Sequence, residues 1–217
     1  MGPLRTIVPL LLVCLAGSTA SADGVYFTEG IGNTKISDEL AAYMPTDALR
    51  IRIAVGVRHD RWAVEGFVAA TINGEDRYGG GAGQPEPAHP YQPDGGGYRR
   101  APDLTAFGLD VKYINPIARH LELYLRGSIG AAAGDGALQG YTGRGLGFGA
   151  GIQLKGKVPA LGFLWWPLFL TNLGPKVTGA LWLDDGYDFY RLHGPSPTAI
   201  DAQLTHLTFG FAFGSDF

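Results

Sequence analysis

The last fifteen residues of this 217-residue chain, Gln203 to Phe217, restrict its fold more than any other segment. They read QLTHLTFGFAFGSDF. Leu207, Phe209, Phe211 and Phe213 fall on one face of an extended strand, and His206, Thr208, Gly210, Ala212 and Gly214 on the other, because successive strand side chains point to opposite sides. A soluble sandwich has little use for three phenylalanines on one face of its final strand with only small or polar residues opposite. A strand between lipid and a tightly filled lumen needs that distribution. Alternating segments of about ten residues, apolar outward and polar inward, mark a transmembrane β-barrel.

The N-terminus agrees with that destination. Arg5 is the only charged side chain before an apolar run from Ile7 to Ala16, and Gly17 to Ala22 ends in Ala20-Ser21-Ala22, ahead of Asp23. A charged start, a short apolar run and an A-x-A-like site predict a secretory signal peptide over 1–22. The run is too short to cross a bilayer as a helix, which takes roughly 20 residues. Cys14, the only cysteine, lies inside it, so a mature chain beginning at Asp23 holds no disulfide. The rival reading, lipidation at Cys14, is weakened by the branched Val13 where a small residue is usual.

The remaining chain, about 195 residues over 23–217, suits one domain. It contains no apolar run of roughly 18 residues or more, so insertion into a membrane has to be as a closed barrel, since an open sheet edge in lipid leaves backbone groups unpaired. Glycine is abundant, 34 residues, and in a narrow barrel inward glycine makes room for bulky neighbours. The net charge is −3 with no basic cluster, which argues against nucleic acid as a partner.

A period of two picks out eight candidate strands. They run from about Gly24 to Asn33, Ala48 to Arg58, Arg61 to Ile72, Asp103 to Ile114, His120 to Ala131, Arg144 to Lys155, Pro175 to Tyr187, and Gln203 to the end. The second is clean: Leu49, Ile51, Ile53, Val55 and Val57 against Arg50, Arg52, Ala54, Gly56 and Arg58. His59-Asp60 and Asn115 to Arg119 read as minimal turns, whereas Asn73 to Pro102, rich in Gly, Pro and Tyr, reads as a long surface loop. Short turns on one side and longer loops on the other are the asymmetry of outer-membrane barrels, with short turns in the periplasm. Gly156 to Gly174 is the exception, a connection on the short side rich in apolar residues. Its Trp165 and Trp166 suit an aromatic girdle at the interface; the alternative is a misplaced strand over Leu161 to Thr171.

The expected lumen carries Arg50, Arg52, Lys112, Arg126 and Lys176 against Glu65, Asp110, Glu122 and Asp184, with Glu29 assigned inward on the first strand. An eight-stranded barrel is just wide enough for side chains to fill. Such charges interlock into pairs, the arrangement that makes a desolvated interior tolerable. No catalytic residue is assigned. His193, Ser196 and Asp201 near the external rim, with His206 below and Asp184 and Asp185 beside, are the residues a rim lipid-modifying enzyme would use, but no G-x-S-x-G surrounds any serine. The histidines are scattered without metal spacing, and no cofactor is expected. The glycine triplets at 79–81 and 95–97 lack the Lys-Ser or Lys-Thr of a phosphate loop. Tyr78, Tyr91, Tyr98, Arg99 and Arg100 in the long loop are candidate contacts for a host or cell-surface ligand.

With VYFTEGIGNTKIS as opening strand and loop, amphipathic hairpins, and THLTFGFAFGSDF ending in Phe217, the chain resembles the small outer-membrane β-barrel proteins of the OmpA/OmpX and opacity type over about Gly24 to Phe217. The resemblance implies an all-β, antiparallel, up-and-down transmembrane barrel of eight strands in the bacterial outer membrane. Its partners would be outer-membrane lipid and the assembly machinery, which in such proteins reads a final aromatic strand. Phe209, Phe211, Phe213 and Phe217 fit that pattern, and Ser215 departs from it. The expected role is structural or adhesin-like. A soluble lipocalin-like binder of an apolar ligand is the other alternative, and it requires a cover for the outward Leu and Phe rows.

Overall fold

In the computed structural model the described residues, 24–43, 46–72, 103–157 and 177–215, form one closed barrel of eight antiparallel strands. They are β1 (Gly24–Ser37), β2 (Asp47–His59), β3 (Trp62–Ile72), β4 (Leu104–Ala118), β5 (Leu121–Gly134), β6 (Thr142–Lys157), β7 (Val177–His193) and β8 (Ile200–Ser215). Each strand pairs with its sequence neighbours, and β8 returns to β1 with Phe27 opposite Phe213 and Ile31 opposite Phe209. The ring closes on these eight strands, so every backbone edge is paired, as a span through hydrocarbon requires. The expectations for 1–22, for Asn73 to Pro102, for Trp165 and Trp166, and for Phe217 lie outside the described residues.

Period two sorts each strand into a lumen face and an outer face. On the outer face Ile53, Val64, Leu109, Leu125, Ile129, Leu146, Phe148, Leu183, Phe209 and Phe211 are all exposed. An exposed apolar belt around a whole molecule is foreign to soluble proteins and is the lipid-facing surface of a barrel. At its edge beside the short turns, the end expected in the periplasm, the rings of Trp62 and Tyr113 meet edge to face, 5.0 Å apart, in the position of an interfacial girdle. Among the described residues no helix is long and apolar enough to cross a membrane; the strands make the crossing.

One short turn is shifted by a residue from its expected place and the other is shorter than expected. β2 and β3 are joined through Asp60 and Arg61, Asp60 adopting φ 52°, a left-handed conformation that Asp tolerates better than most residues. The anticipated turn Asn115 to Arg119 is mostly strand: β4 continues through Pro116, the register shifts between Pro116 and Ala118, and the turn is left to Arg119 and His120. Proline lacks a donor for the ladder and is accommodated at such an irregularity.

At the opposite end the strands outrun their expected limits, and their polarity inverts. On β8, Ile200, Ala202 and Leu204 point inward and are buried; on β7, Tyr190 and Leu192 do the same, with Arg191 and His193 outward. On β1, Ile36 is buried between exposed Lys35 and Ser37. Beyond the lipid belt the outer face meets water, so the apolar residues move to the inside. Two short 3₁₀ turns, η1 (Asp38–Ala42) and η2 (Gly136–Leu138), tuck Leu40 and Leu138 into this end with no exposed surface.

Candidate functional site

The lumen is filled in layers. The external layer is apolar, built from Ile36, Leu40, Leu104, Leu138, Tyr190, Leu192, Ile200 and Leu204, with small alanines between them. The expected charge pairing occupies one layer of the lumen, and inward positions of the strand extensions carry aliphatic side chains. Below lies a buried ionic layer. Below that, Tyr26, Ile114, Tyr124 and Trp182 form an aromatic layer toward the periplasmic end.

The ionic layer is one connected chain. Lys112 Nζ lies 2.5 Å from Glu65 Oε1, and the other Glu65 oxygen accepts from Arg52 Nη2 at 2.9 Å. Arg52 also pairs with Asp110. Asp110 is 3.6 Å from Arg126, which binds Asp184 at 3.0 Å, and Arg50 binds Asp188 at 2.7 Å. His206 Nε2 completes the cluster 3.3 Å from Asp188. Arg50, Arg52, Lys112 and Arg126 thus face an equal number of carboxylates, Glu65, Asp110, Asp184 and Asp188, all buried. Balance is what makes the layer tolerable, because a desolvated charge without a partner costs several kcal/mol. Tyr26 donates its hydroxyl to Glu65 at 2.9 Å, and the Arg52 guanidinium lies 5.3 Å from the Phe67 ring centroid.

A second, smaller cluster closes the periplasmic mouth. Arg58 holds Glu122 through two nitrogens at 2.9 and 3.1 Å, Lys155 reaches the same carboxylate at 3.0 Å, and Gln153 donates to it. Glu122 therefore belongs to a separate group from the central network.

Space for the large rings comes from glycine on nearby strands of the same wall. A Cβ at Gly56 would stand 2.7 Å from Tyr26 Cζ, and one at Gly30 would overlap the Trp182 indole. Inward glycine and bulky ring are paired choices.

The structure brings Arg50, Arg52, Glu65, Asp110, Lys112, Arg126 and Asp184 together in the lumen. Glu29 is the correction. Tyr26, Thr28 and Thr34 occupy the inward phase of β1, so Glu29 points outward, opposite Ile53 on β2 and Phe211 on β8, a carboxylate among lipid-facing side chains. Lys176 and the loop residues Tyr78, Tyr91, Tyr98, Arg99 and Arg100 lie outside the described residues. Sequence reasoning missed Asp188 because the seventh strand was ended at Tyr187, one residue short; continuing the inward phase of Trp182 and Asp184 finds it. His206, weighed as a rim residue, is buried in the lumen at 2% exposure. At the rim itself, Ser196 Oγ accepts from the Thr198 amide at 3.3 Å and the Asp201 carboxylate faces Arg191 at 3.8 Å. Among the described residues no hydrogen bond joins either to His193, and no three His, Asp or Glu side chains are placed to hold a metal ion.

No family model matches the sequence, and no characterised protein sequence matches it significantly. Solved structures do match. Neisserial surface protein A aligns with a TM-score of 0.54 at 16% identity, covering 89% of this chain and 97% of that one. The chain has the eight-stranded barrel fold of that surface protein. Ail, the attachment invasion locus protein of Yersinia pestis, in a complex with the heparin analogue sucrose octasulfate, aligns at 0.44 with 12% identity, covering 88% and 97%. The outer membrane protein OprG of Pseudomonas aeruginosa aligns at 0.36 with 13% identity, covering 91% and 97%. The lipid-facing belt and the closed ring together make this an outer-membrane-type barrel that crosses the bilayer with its strands.

Proposed function

We propose that the protein is an integral outer-membrane barrel whose lumen is structural and whose activity lies at its external surface. The observation that carries this reading is the layering: an apolar layer stands above a charge-balanced, ion-paired layer. A conduit needs groups that exchange partners with a passing solute, and among the described residues every charge of the ionic layer is already committed to a neighbour. The wall is constrained by lipid outside and by packing inside, which leaves the external connections as the part free to recognise something. The adhesin-like role is assigned to the segment 73–102, with Tyr78, Tyr91, Tyr98, Arg99 and Arg100 as contacts to a host or cell-surface ligand.

The test is excision of residues 79–97, followed by whole-cell binding to host surfaces, matrix and neighbouring cells. The barrel should still assemble and show heat-modifiable mobility, while binding is lost. Binding that survives the excision overturns the assignment to this segment. Turnover of a lipid substrate that disappears with His193→Ala would instead favour a rim enzyme.

A further inference from the structure

Arg144 on β6 and Arg191 on β7 are direct cross-strand partners. Both point outward: Arg144 is exposed, and the Arg191 side chain is 64% exposed. Like charges directly opposite one another destabilise a sheet. Here no carboxylate stands between them. The acidic neighbour of Arg191 is Asp201 at 3.8 Å on β8, the far side from Arg144. Arg144 itself forms no ion pair among the described residues. Lys35, another outward cation toward the external end, sits directly opposite Asp47 and so is already compensated.

What lies beneath the pair is apolar. The next outward residues toward the membrane centre are Leu146 opposite Phe189, then Phe148 opposite Tyr187. Leu146 and Phe148 are 66% and 65% exposed, and the Phe148 and Tyr187 rings are 5.4 Å apart. From Leu181, low on the belt, β7 climbs ten residues to Arg191. At about 3.3 Å per residue and a tilt of about 40°, this is roughly 25 Å along the barrel axis, the height of the apolar band of such barrels. The two guanidinium groups therefore stand at the level of the external headgroups, directly above a strip that suits an acyl chain.

We propose that Arg144 and Arg191 clamp the phosphate of an external-leaflet lipid headgroup whose acyl chain lies along Leu146, Phe148, Tyr187 and Phe189. A phosphate between the two forks turns a repulsive pair into two charge-assisted contacts, and the planar, multidonor guanidinium is suited to it. Free phosphate shares the head chemistry and lacks the chain. The proposal rests on the membrane placement and is independent of any external partner.

The test uses the full mature chain folded into phosphatidylcholine bilayers with and without phosphatidic acid, whose headgroup is a phosphate monoester. Insertion into phosphatidylcholine alone checks the placement separately. Phosphatidic acid should raise the urea midpoint of the parent, and Arg144→Gln or Arg191→Gln should weaken the apparent lipid affinity about tenfold, the worth of one charge-assisted pair. In pure phosphatidylcholine, whose singly charged phosphodiester is offset by its own choline, the dependence should nearly vanish: Arg144→Gln should match the parent in urea midpoint. Lys35→Gln should keep the full response. The proposal is overturned if the parent does not respond to phosphatidic acid, if Lys35→Gln loses the response equally, or if inorganic phosphate in pure phosphatidylcholine reproduces it. Should Arg144→Gln fail to fold, Arg191→Gln carries the same expectation, and broadening of the phosphatidic acid phosphorus resonance by the parent must still be seen.

Discussion

Arg126 holds the two halves of the ionic layer together. One of its nitrogens binds Asp184 at 3.0 Å, another donates to Ser128 Oγ at 2.6 Å, and Asp110 lies 3.6 Å away. Removing one member of a buried pair leaves the other charge uncompensated, at a cost of about 3 to 5 kcal/mol. Arg126→Ala should therefore lower the urea midpoint of the folded barrel in bilayers by that amount, whereas Arg126→Met combined with Asp184→Leu should recover much of the loss. Glu29 behaves in the opposite way. Its carboxylate faces lipid between Ile53 and Phe211, and an acidic group near the middle of the bilayer costs less than the roughly 2 to 4 kcal/mol of a lysine or arginine there. Glu29→Leu should raise stability by roughly 1 to 2 kcal/mol in the same unfolding measurement. A fall in stability would show that the carboxylate has a partner.

β1, β7 and β8 are each two elements end to end. Within the bilayer β8 places Leu207, Phe209 and Phe211 outward, and beyond it Ile200, Ala202 and Leu204 face inward. The same backbone phase thus serves two solvents, and a search for apolar-outward alternation stops where the sign changes. That is why the eighth strand appeared to begin at Gln203; on the seventh the alternation still holds through Asp188 and Phe189, and the sign changes only at Tyr190. The inverted part is a true core. Leu192 has no exposed surface, while Leu207 is 53% exposed. Leu192→Ala should cost about 2 to 5 kcal/mol through lost burial and a cavity; Leu207→Ala, on the lipid face, should cost clearly less. Equal losses in the two variants, read as urea midpoints, would contradict a packed external layer.

At the scale of the molecule, the barrel is a closed wall around three stacked fillings, apolar, ionic and aromatic. Planar-bilayer recordings should accordingly show no steady conductance of porin size. A stable open channel would refute the filled lumen. The chemical variety of such a protein is pushed to its ends and its outer rim, where Arg144 and Arg191 meet the headgroups and the external connections begin.

Architecture was legible in the residues alone because lipid imposes a period of two that local sequence displays directly: Leu49 through Val57, Leu146 through Leu154 and Leu207 through Phe213 each declare an outer face. Lumen residues in clean strands, such as Arg50, Arg52, Glu65 and Asp110, follow from the same phase. An inward Glu29 rests on its charge alone, although Val25, Phe27 and Ile31 share its phase and mark that face as the outer one. Pairing with Ile53 on β2 and Phe211 on β8 agrees with that phase. Which charge meets which, the opposition of Arg144 to Arg191, and the partnership of Gly30 with Trp182 are properties of register and closure between strands far apart in the chain. Periodicity is a local quantity that a sequence carries by itself; register across a closed ring is collective, and only the tertiary structure sets it.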